Sequence, residues 1–316
     1  MTVRRMARRP GSPQTEPARC PTVQAASEHP PAAVRRAIAN GHWERVGRGA
    51  YIVSSSALRG HERERERALA RIVALHRRLG AQHWFSHDSA ALVWGLPLWR
   101  LPTTTHVIHE HRRGLGADPA VTWHFSRPAQ AERAVASGLP VTSLERTAVD
   151  CATSLDPLGG LVVADAALRA GAPPERIAEL LRARVGSRGI RAAREVLALA
   201  DGGAESPGET ATRFVLLRAG LPVPTTQVHV PTRLGSFWSD LGWVEWRLLV
   251  EYDGKAKYGA DPEALLREKR RHDAVVEAGW RVVRVTRDDL AAGDVVERVV
   301  RHLPPGILLA PRRFLR

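Results

Sequence analysis

Residues 239–255 read SDLGWVEWRLLVEYDGK, and both halves of this stretch alternate in the manner of β-strands. Glu251 and Asp253 would fall on one face of the second strand. If the chain reverses about residues 245–246, Asp240 comes to lie opposite Glu251. Directly opposed side chains in a hairpin have Cβ atoms roughly 4.5–5.5 Å apart. The stretch therefore predicts a hairpin from which carboxylates project together.

Carboxylates this close repel one another unless a cation lies between them. Oxygen ligands of this kind suit Mg²⁺ or Mn²⁺ better than zinc. Asp240 and Glu251 are therefore the candidate metal ligands, with Asp253, beside Gly254, as a further ligand or a turn residue. An ordinary hairpin pair is the alternative, although opposed like charges destabilise a sheet.

The hairpin lies within a C-terminal unit, residues 209–303, that alternates helical and strand patterns. Ser206 and Glu209 have capping-box spacing at the start of its first helix, so the cap explains Glu209 as well as a catalytic role does. The order that follows is three strands, a helix, a strand and a helix. This order predicts an α/β fold with a mixed sheet flanked by helices.

Several motifs in residues 205–303 form a combination that identifies a family. They are the helix bearing Glu209, the phrase Ala219-Gly220-Leu221-Pro222, Asp240, the phrase Glu251-Tyr252-Asp253-Gly254, the basic helix with Arg271 and Asp273, and residues 279–286. Together they resemble the Vsr-like branch of the restriction-endonuclease-like superfamily, which is related to very-short-patch-repair endonucleases.

The resemblance implies a metal-dependent DNA endonuclease. Asp240 and Glu251 would hold Mg²⁺ (or Mn²⁺), and Glu209 would contribute from its helix directly or through water. The metal would polarise the scissile phosphate and help to generate hydroxide from bound water.

The chain departs from the family pattern at the catalytic lysine. That lysine usually lies two residues after the second carboxylate, where this chain has Asp253. Lys255 or Lys257 would have to replace it. Related families place a histidine shortly after the Asp-Gly pair, and here that place holds Lys257 and Tyr258.

The N-terminal part of the chain suggests a partial winged helix. Clustered Arg and Pro in residues 1–30 predict a disordered basic tail. Residues 31–54 predict a helix followed by a β-hairpin, which is typical of the last part of a winged helix, although a generic surface helix and hairpin are equally consistent. The arginines predicted to contact nucleic acid here are Arg35 and Arg36 on the helix and Arg45 and Arg48 on the wing.

Residues 55–200 predict a mixed α+β and helical region. The segment before the C-terminal unit resembles the AbiEi-type antitoxin architecture through Gly49-Ala50-Tyr51, residues 86–91 (SHDSAA) and residues 145–150 (ERTAVD). Residues 201–208 predict a linker, and residues 304–316 a basic tail. His106, His109 and His111 are interpreted as strand surface because no further residue completes a ligand set.

The 316 residues carry a formal charge of +14, with 47 Lys and Arg against 33 Asp and Glu. A nucleic-acid partner is the leading explanation, and a GC-rich genome that encodes Arg freely is the alternative. Arg267, Arg270 and Arg271 form either a phosphate-contacting helix face or a solvated one.

Two cysteines exclude a disulfide framework and a thiolate zinc site. No apolar run approaches the roughly 20 residues that span a membrane, and the basic N-terminus lacks the apolar segment of a signal peptide. We therefore expect a cytoplasmic protein with no membrane partner.

Three functions remain open from the sequence. The first is a DNA-binding protein with an Mg²⁺-dependent endonuclease domain. The second is a non-catalytic AbiEi-like transcriptional regulator or antitoxin that retains a decayed nuclease fold and binds a cognate toxin. An RNA-directed nuclease is a third, weaker alternative.

Overall fold

A computed structural model describes residues 15–111, 118–254 and 262–315. Lys255 and Lys257, the candidate replacements for the catalytic lysine, lie outside the described residues. The described chain is α/β, as the sequence predicts, with three sheets that are each packed by helices.

The first sheet belongs to the predicted winged-helix-like module. It contains β1 (Gln24–Ala25), β2 (Trp43–Gly47) and β3 (Ala50–Val53) in the order β1-β3-β2, and α1 (Pro31–Ala39) precedes the hairpin. The helix and hairpin lie where they were predicted, and a third strand completes them.

Strand β1 corrects the prediction that all of residues 1–30 form a disordered tail. Gln24 pairs with Tyr51, and Val23 beside it is 2% exposed in a small core with Ile52. Earlier still, the backbone N–H of Ala18 donates to the carbonyl of Val93. Isolated apolar residues anchor residues 15–30, although the average composition of the segment is polar.

The second sheet has five strands in the order β6-β5-β4-β8-β7, and it mixes parallel and antiparallel pairs. The elements of this region are α2 (His61–Arg78), β4 (His83–Phe85), α3 (His87–Val93), β5 (Thr105–His109), β6 (Val121–Phe125), β7 (Arg133–Ala136) and β8 (Leu139–Thr142). Within the described part of the chain, strand β6 pairs with β5 alone, at one edge of the sheet.

Four helices follow: α4 (Leu144–Ser154), α5 (Pro157–Arg169), α6 (Pro174–Ala183) and α7 (Ile190–Leu197). Side-chain oxygens cap two of them. Ser143 accepts from the N–H of Arg146, and Asp156 accepts from that of Gly159. A large apolar core joins these helices to the five-stranded sheet.

The segment predicted as a linker, residues 201–208, is packed rather than free. Ala204 is 3% exposed, and the carboxylate of Asp201 accepts hydrogen bonds from the Gly203 N–H and the Thr226 hydroxyl. The Gly- and Pro-rich composition of residues 201–208 marks a change in chain direction. The polar groups of this segment form hydrogen bonds with both neighbouring regions.

The third sheet belongs to the C-terminal unit, whose elements follow the predicted order with one additional helix, α10 (Arg287–Ala292), after the last strand. They are α8 (Pro207–Arg218), β9 (Thr225–Thr232), β10 (Gly235–Trp243), β11 (Leu248–Asp253), α9 (Pro262–Glu277), β12 (Arg281–Thr286), α10 (Arg287–Ala292) and α11 (Val295–Val300). The strand order is β12-β11-β10-β9, and only β11 and β12 run parallel. This is a mixed sheet, as predicted.

The final residues correct the prediction of a basic tail at 304–316. Leu315 is 1% exposed and packs in a core with Phe214 and Leu217. The Arg312 guanidinium donates to the carbonyls of Leu217 and Leu221. Arg312 thus binds carbonyl groups at the C-terminal end of α8 and just beyond it, so a basic residue in this segment does not indicate a free tail.

None of the helices in the described part of the chain has the length and hydropathy to cross a lipid bilayer.

Candidate functional site

The hairpin of β10 and β11 has the predicted register. Leu241 pairs with Val250 and Trp243 with Leu248, so continuation of the ladder by one step places position 240 opposite position 251. A short 3₁₀ turn at Val244–Trp246 reverses the chain. It ends at Arg247, which takes the left-handed backbone conformation.

The Asp240 carboxylate reaches across the hairpin. Its Oδ2 accepts a 2.8 Å hydrogen bond from the backbone N–H of Tyr252. This bond fixes the side chain beside the end of β11, where Glu251 is 9% exposed. The predicted pair of carboxylates therefore lies on one sheet, at the point where the antiparallel ladder ends.

A pocket of about 270 Å³ opens at this place. Its lining contains the three predicted carboxylates, one further carboxylate and two guanidinium groups: Asp240, Glu251, Asp253, Glu268, Arg271 and Arg284. Aromatic side chains, Phe237 and Trp238 among them, close one side. Glu268 and Arg284 come from α9 and β12, and sequence reasoning did not assign them to the site.

Arg271 and Arg284 neutralise two of these carboxylates. The Arg271 Nη2 lies 2.8 Å from Glu251 Oε2, and its Nε lies 3.0 Å from Glu268 Oε2. The Arg284 Nη2 lies 2.6 Å from Glu268 Oε1. Burial lowers the pKa of Arg271, but the hydrogen bonds and charges of Glu268 and Glu251 outweigh burial and raise it. Arg271 is therefore a fixed cation.

The three predicted carboxylates do not form one compact ligand set. Among the described residues, the only group of three or more His, Cys, Asp or Glu side chains whose ligand atoms all lie within 4.8 Å is a histidine cluster elsewhere. Arg271 binds Glu251 and the Tyr252 N–H binds Asp240, so each carboxylate is held by its own partner. Asp253 lines the pocket as a third, separate acid.

Glu209 lies in the cap of α8, outside the pocket lining. Its Oε1 accepts from the Ser206 hydroxyl at 2.9 Å, and its Oε2 accepts from the Glu205 N–H at 2.7 Å. In return, the Glu209 N–H donates to Ser206 Oγ. Burial raises the pKa of the Glu209 carboxyl. The structure thus gives this side chain a capping role, which its sequence spacing also predicts.

The predicted nucleic-acid contacts differ in exposure. Arg35, Arg36, Arg45 and Arg48 are all exposed on the winged-helix-like module. On α9, the Arg267 side chain is 65% exposed and Arg270 is also exposed, whereas Arg271 turns into the pocket. Of the three arginines predicted to form a basic face on α9, two are therefore exposed and the third, Arg271, lines the pocket.

The histidines of β5 are not simple strand surface. His109 is 6% exposed, and its Nδ1 contacts the backbone of His111. His106 instead meets His87 and His124, which lie on α3 and β6. The sequence interpretation grouped His106 with its near neighbours along the chain, whereas its partners come from other elements.

Two curated proteins resemble the chain over most of its length. They are "Uncharacterized protein MT2308" and "Uncharacterized protein Rv2248" from two strains of Mycobacterium tuberculosis. Each is 32% identical over 270 residues, which cover 84% of this chain and 94% of the relative. The chain belongs to the family of these two mycobacterial proteins. The match is too long to be confined to one region, so the N-terminal and C-terminal regions occur together in this family. No model of a known protein family matches the chain.

Proposed function

We propose that the protein is a metal-dependent DNA endonuclease whose active site is the pocket on the β10–β11 hairpin. The observation that carries this proposal is the convergence of Asp240 and Glu251 in one pocket with the half-buried cation Arg271. Phosphodiester hydrolysis needs ligands for a metal and a positive group near the developing charge, and this pocket offers both. The C-terminal unit would then have a restriction-endonuclease-like fold.

The donor set fits a hard divalent cation. Asp240 and Glu251 offer only oxygen ligands, which suit Mg²⁺ or Mn²⁺. When bound, the metal supplies Lewis acidity and a lowered pKa of water. With the metal bound, the Glu251 carboxylate would contact both the ion and Arg271. The N–H groups of Arg271 that are not bonded to a carboxylate would donate to a phosphate oxygen. A guanidinium matches phosphate well because its donors form a planar fork.

A polyanionic substrate accounts for the charge of the chain. The formal charge is +14, and the exposed arginines include four on the winged-helix-like module. Arg267 and Arg270 are exposed on α9, the helix that also supplies Arg271 to the pocket. Arginines on this helix would contact the phosphates that flank the scissile bond.

One observation favours a second function, a non-catalytic regulator or antitoxin of the AbiEi type. Glu251 already has a cation in Arg271 at 2.8 Å, and position 253, where the nuclease family has a lysine, is an aspartate. A site whose Glu251 is neutralised in this way would serve as a rigid surface for DNA or for a cognate toxin.

The two functions are separated by Mg²⁺ calorimetry together with a supercoiled-plasmid cleavage assay. Mg²⁺ is the right probe because imidazole is a poor ligand for it, so the cluster of His87, His106 and His124 should not contribute to the binding signal. The variants are Asp240→Asn and Glu251→Gln, and the control is Glu245→Gln, an exposed acid in the turn of the same hairpin. We expect both site variants to lose Mg²⁺ binding and cleavage while the control retains both. DNA binding by the wild type without Mg²⁺ binding or cleavage would overturn the nuclease and support the regulator.

A further inference from the structure

Three histidines from three separate elements meet beside the five-stranded sheet. His87 is the first residue of α3, His106 lies on β5 and His124 on the edge strand β6. Their ligand nitrogens all lie within 4.8 Å of one another. The His106 Nδ1 is 3.0 Å from the His124 Nε2, and the rings of His87 and His124 stack with centroids 4.0 Å apart.

One of these spacings, between His106 and His124, matches that of two ligands around one small cation. Imidazole nitrogens bind zinc at 2.0–2.1 Å, so two ligands in a tetrahedral site lie about 3.3 Å apart. The 3.0 Å separation of His106 Nδ1 and His124 Nε2 is close to that value. The hydroxyl of Ser86 lies 2.9 Å from the Nδ1 of His87, which leaves the Nε2 of His87 for a ligand.

The three histidines are largely enclosed by the protein: His87 is 9% exposed, and His106 and His124 are half-buried. A neutral imidazole has a ring lone pair to offer to a metal.

Two residues of the cluster region, His87 and Asp88, have features that packing alone does not require. His87 has a φ of 55°, a left-handed conformation that residues with a side chain rarely adopt and that occurs at functional sites. Asp88, its neighbour, is buried, and its Oδ1 has no hydrogen-bond partner among the described residues. That oxygen lies 3.9 Å from the Nε2 of His106, the nitrogen that faces away from His124. A carboxylate behind a histidine is the usual second layer of a metal site.

The charges nearby do not oppose a cation. Arg146 and Arg184 both act on His87, but each is paired with Glu132 and Asp150. Two arginines and two acids leave this quartet neutral. Asp88 adds a negative charge beside the histidines.

We propose that His87 through Nε2, His106 through Nδ1 and His124 through Nε2 bind one Zn²⁺ ion, with Asp88 as the carboxylate that orients His106. Three imidazoles suit zinc, and the donor set is distinct from the acidic pocket of the C-terminal unit. The ion would join edge strand β6 to β5 and α3, in addition to the hydrogen bonds that already link Ser86 and Ser89 to His106.

Cobalt is the probe for this site because Co²⁺ replaces zinc and absorbs visible light when it is bound in tetrahedral geometry. The full-length chain is stripped of metal, titrated with Co²⁺ and then with Zn²⁺, and its bound metal is counted. We expect one Co²⁺ per chain with the absorption of tetrahedral geometry, displaced by Zn²⁺, and a higher thermal midpoint with zinc. His124→Gln and His106→Gln should abolish the spectrum, and Asp88→Asn should weaken Zn²⁺ binding about 10- to 100-fold.

Two controls keep the result unambiguous. His229→Gln removes an exposed histidine of β9 that lies outside the cluster, and Glu245→Gln removes an exposed carboxylate in the turn between β10 and β11. Both should bind Co²⁺ as the wild type does. Circular dichroism of each metal-free variant shows whether it folds. Absence of a stoichiometric Co²⁺ or Zn²⁺ site in the folded wild type, or an unchanged spectrum in folded His106→Gln, would overturn the proposal.

Discussion

The guanidinium of Arg213 on α8 donates to both carboxylate oxygens of Asp165 on α5 at 2.7 Å, and both side chains are fully buried. Asp165 also accepts from the Thr210 hydroxyl and the Asp201 N–H. The carboxylate therefore joins the N-terminal helices, the segment predicted as a linker and the C-terminal unit. Regions that share a buried ion pair form one packed structure at this junction.

Asp165→Ala is expected to destabilise the whole chain by about 3–5 kcal/mol, because it leaves the buried charge of Arg213 without a partner. The measurement is chemical denaturation followed by far-ultraviolet circular dichroism. Glu179→Ala is the control, since it breaks an exposed pair with Arg176 on α6 that contributes less than about 1 kcal/mol. A wild-type-like midpoint for Asp165→Ala would show that the two regions are energetically independent.

The hairpin was predictable because its information is local. Alternation along residues 239–255 sets which side chains share a face, and a turn of defined length sets the register, so the meeting of Asp240 and Glu251 follows from spacing alone. Arg271 was assigned to the basic helix but not to Glu251, which lies 20 residues away. The position of a helix over a sheet depends on packing between distant segments, and spacing does not specify it.

The same limit applies to the histidine cluster and to the chain ends. His87, His106 and His124 come from a helix and two strands, and only the tertiary fold brings them together. Val23 and Leu315 anchor segments whose composition is basic and polar. An average over such a segment hides a single buried side chain, which is enough to order the backbone around it.

Arg271→Met is expected to separate metal binding from catalysis in the proposed nuclease. Loss of the competing cation at 2.8 Å from Glu251 should tighten Mg²⁺ binding about tenfold, or about 1.4 kcal/mol. Cleavage should nevertheless fall about 100-fold, because the cation that stabilises the developing charge is gone. Calorimetry and the plasmid assay measure the two effects.

Arg270→Met is the matched control for this prediction, because Arg270 is exposed on the same helix. Its Mg²⁺ affinity should equal that of the wild type. Weaker Mg²⁺ binding in Arg271→Met would contradict the competition between guanidinium and metal, and would instead indicate that Arg271 holds Glu251 in place for the ion.

Glu209→Gln tests whether this side chain is a cap or a metal ligand. Burial raises the pKa of Glu209 above its ordinary 4.5, so the folded state holds the proton more tightly than the unfolded state does. The contribution of this group to stability is therefore largest below pH 4.5 and falls as the pH rises through the folded-state pKa. The glutamine variant should lose this pH dependence.

At pH 7 the same variant should stay within about 1 kcal/mol of the wild type, because the amide oxygen still accepts from the Glu205 N–H. Denaturation at several pH values measures the slope, and Mg²⁺ calorimetry measures the site. Unchanged Mg²⁺ affinity is expected. A large loss of affinity would assign Glu209 to the metal, in agreement with its role in the resembled nucleases.

Both proposed functions predict that the winged-helix-like module contacts DNA through its exposed arginines. Each phosphate contact that a protein makes to duplex DNA contributes about −0.9 to the slope of log affinity against log salt. Replacement of the four exposed arginines of this module by glutamine should therefore flatten the slope by up to about 3.6 units. These arginines are Arg35, Arg36, Arg45 and Arg48. Fluorescence anisotropy with a labelled duplex, measured across salt concentrations, gives the slope.

A second quadruple variant with the same net charge distinguishes a defined surface from the overall charge of the protein. It replaces four exposed arginines at the helical end of the N-terminal region, namely Arg176, Arg182, Arg188 and Arg191. Its slope should match that of the wild type, because these side chains lie on and between α6 and α7, away from the winged-helix-like module. Equal flattening in both variants would show that DNA responds only to the total charge, and the module would lose its assignment as a nucleic-acid surface.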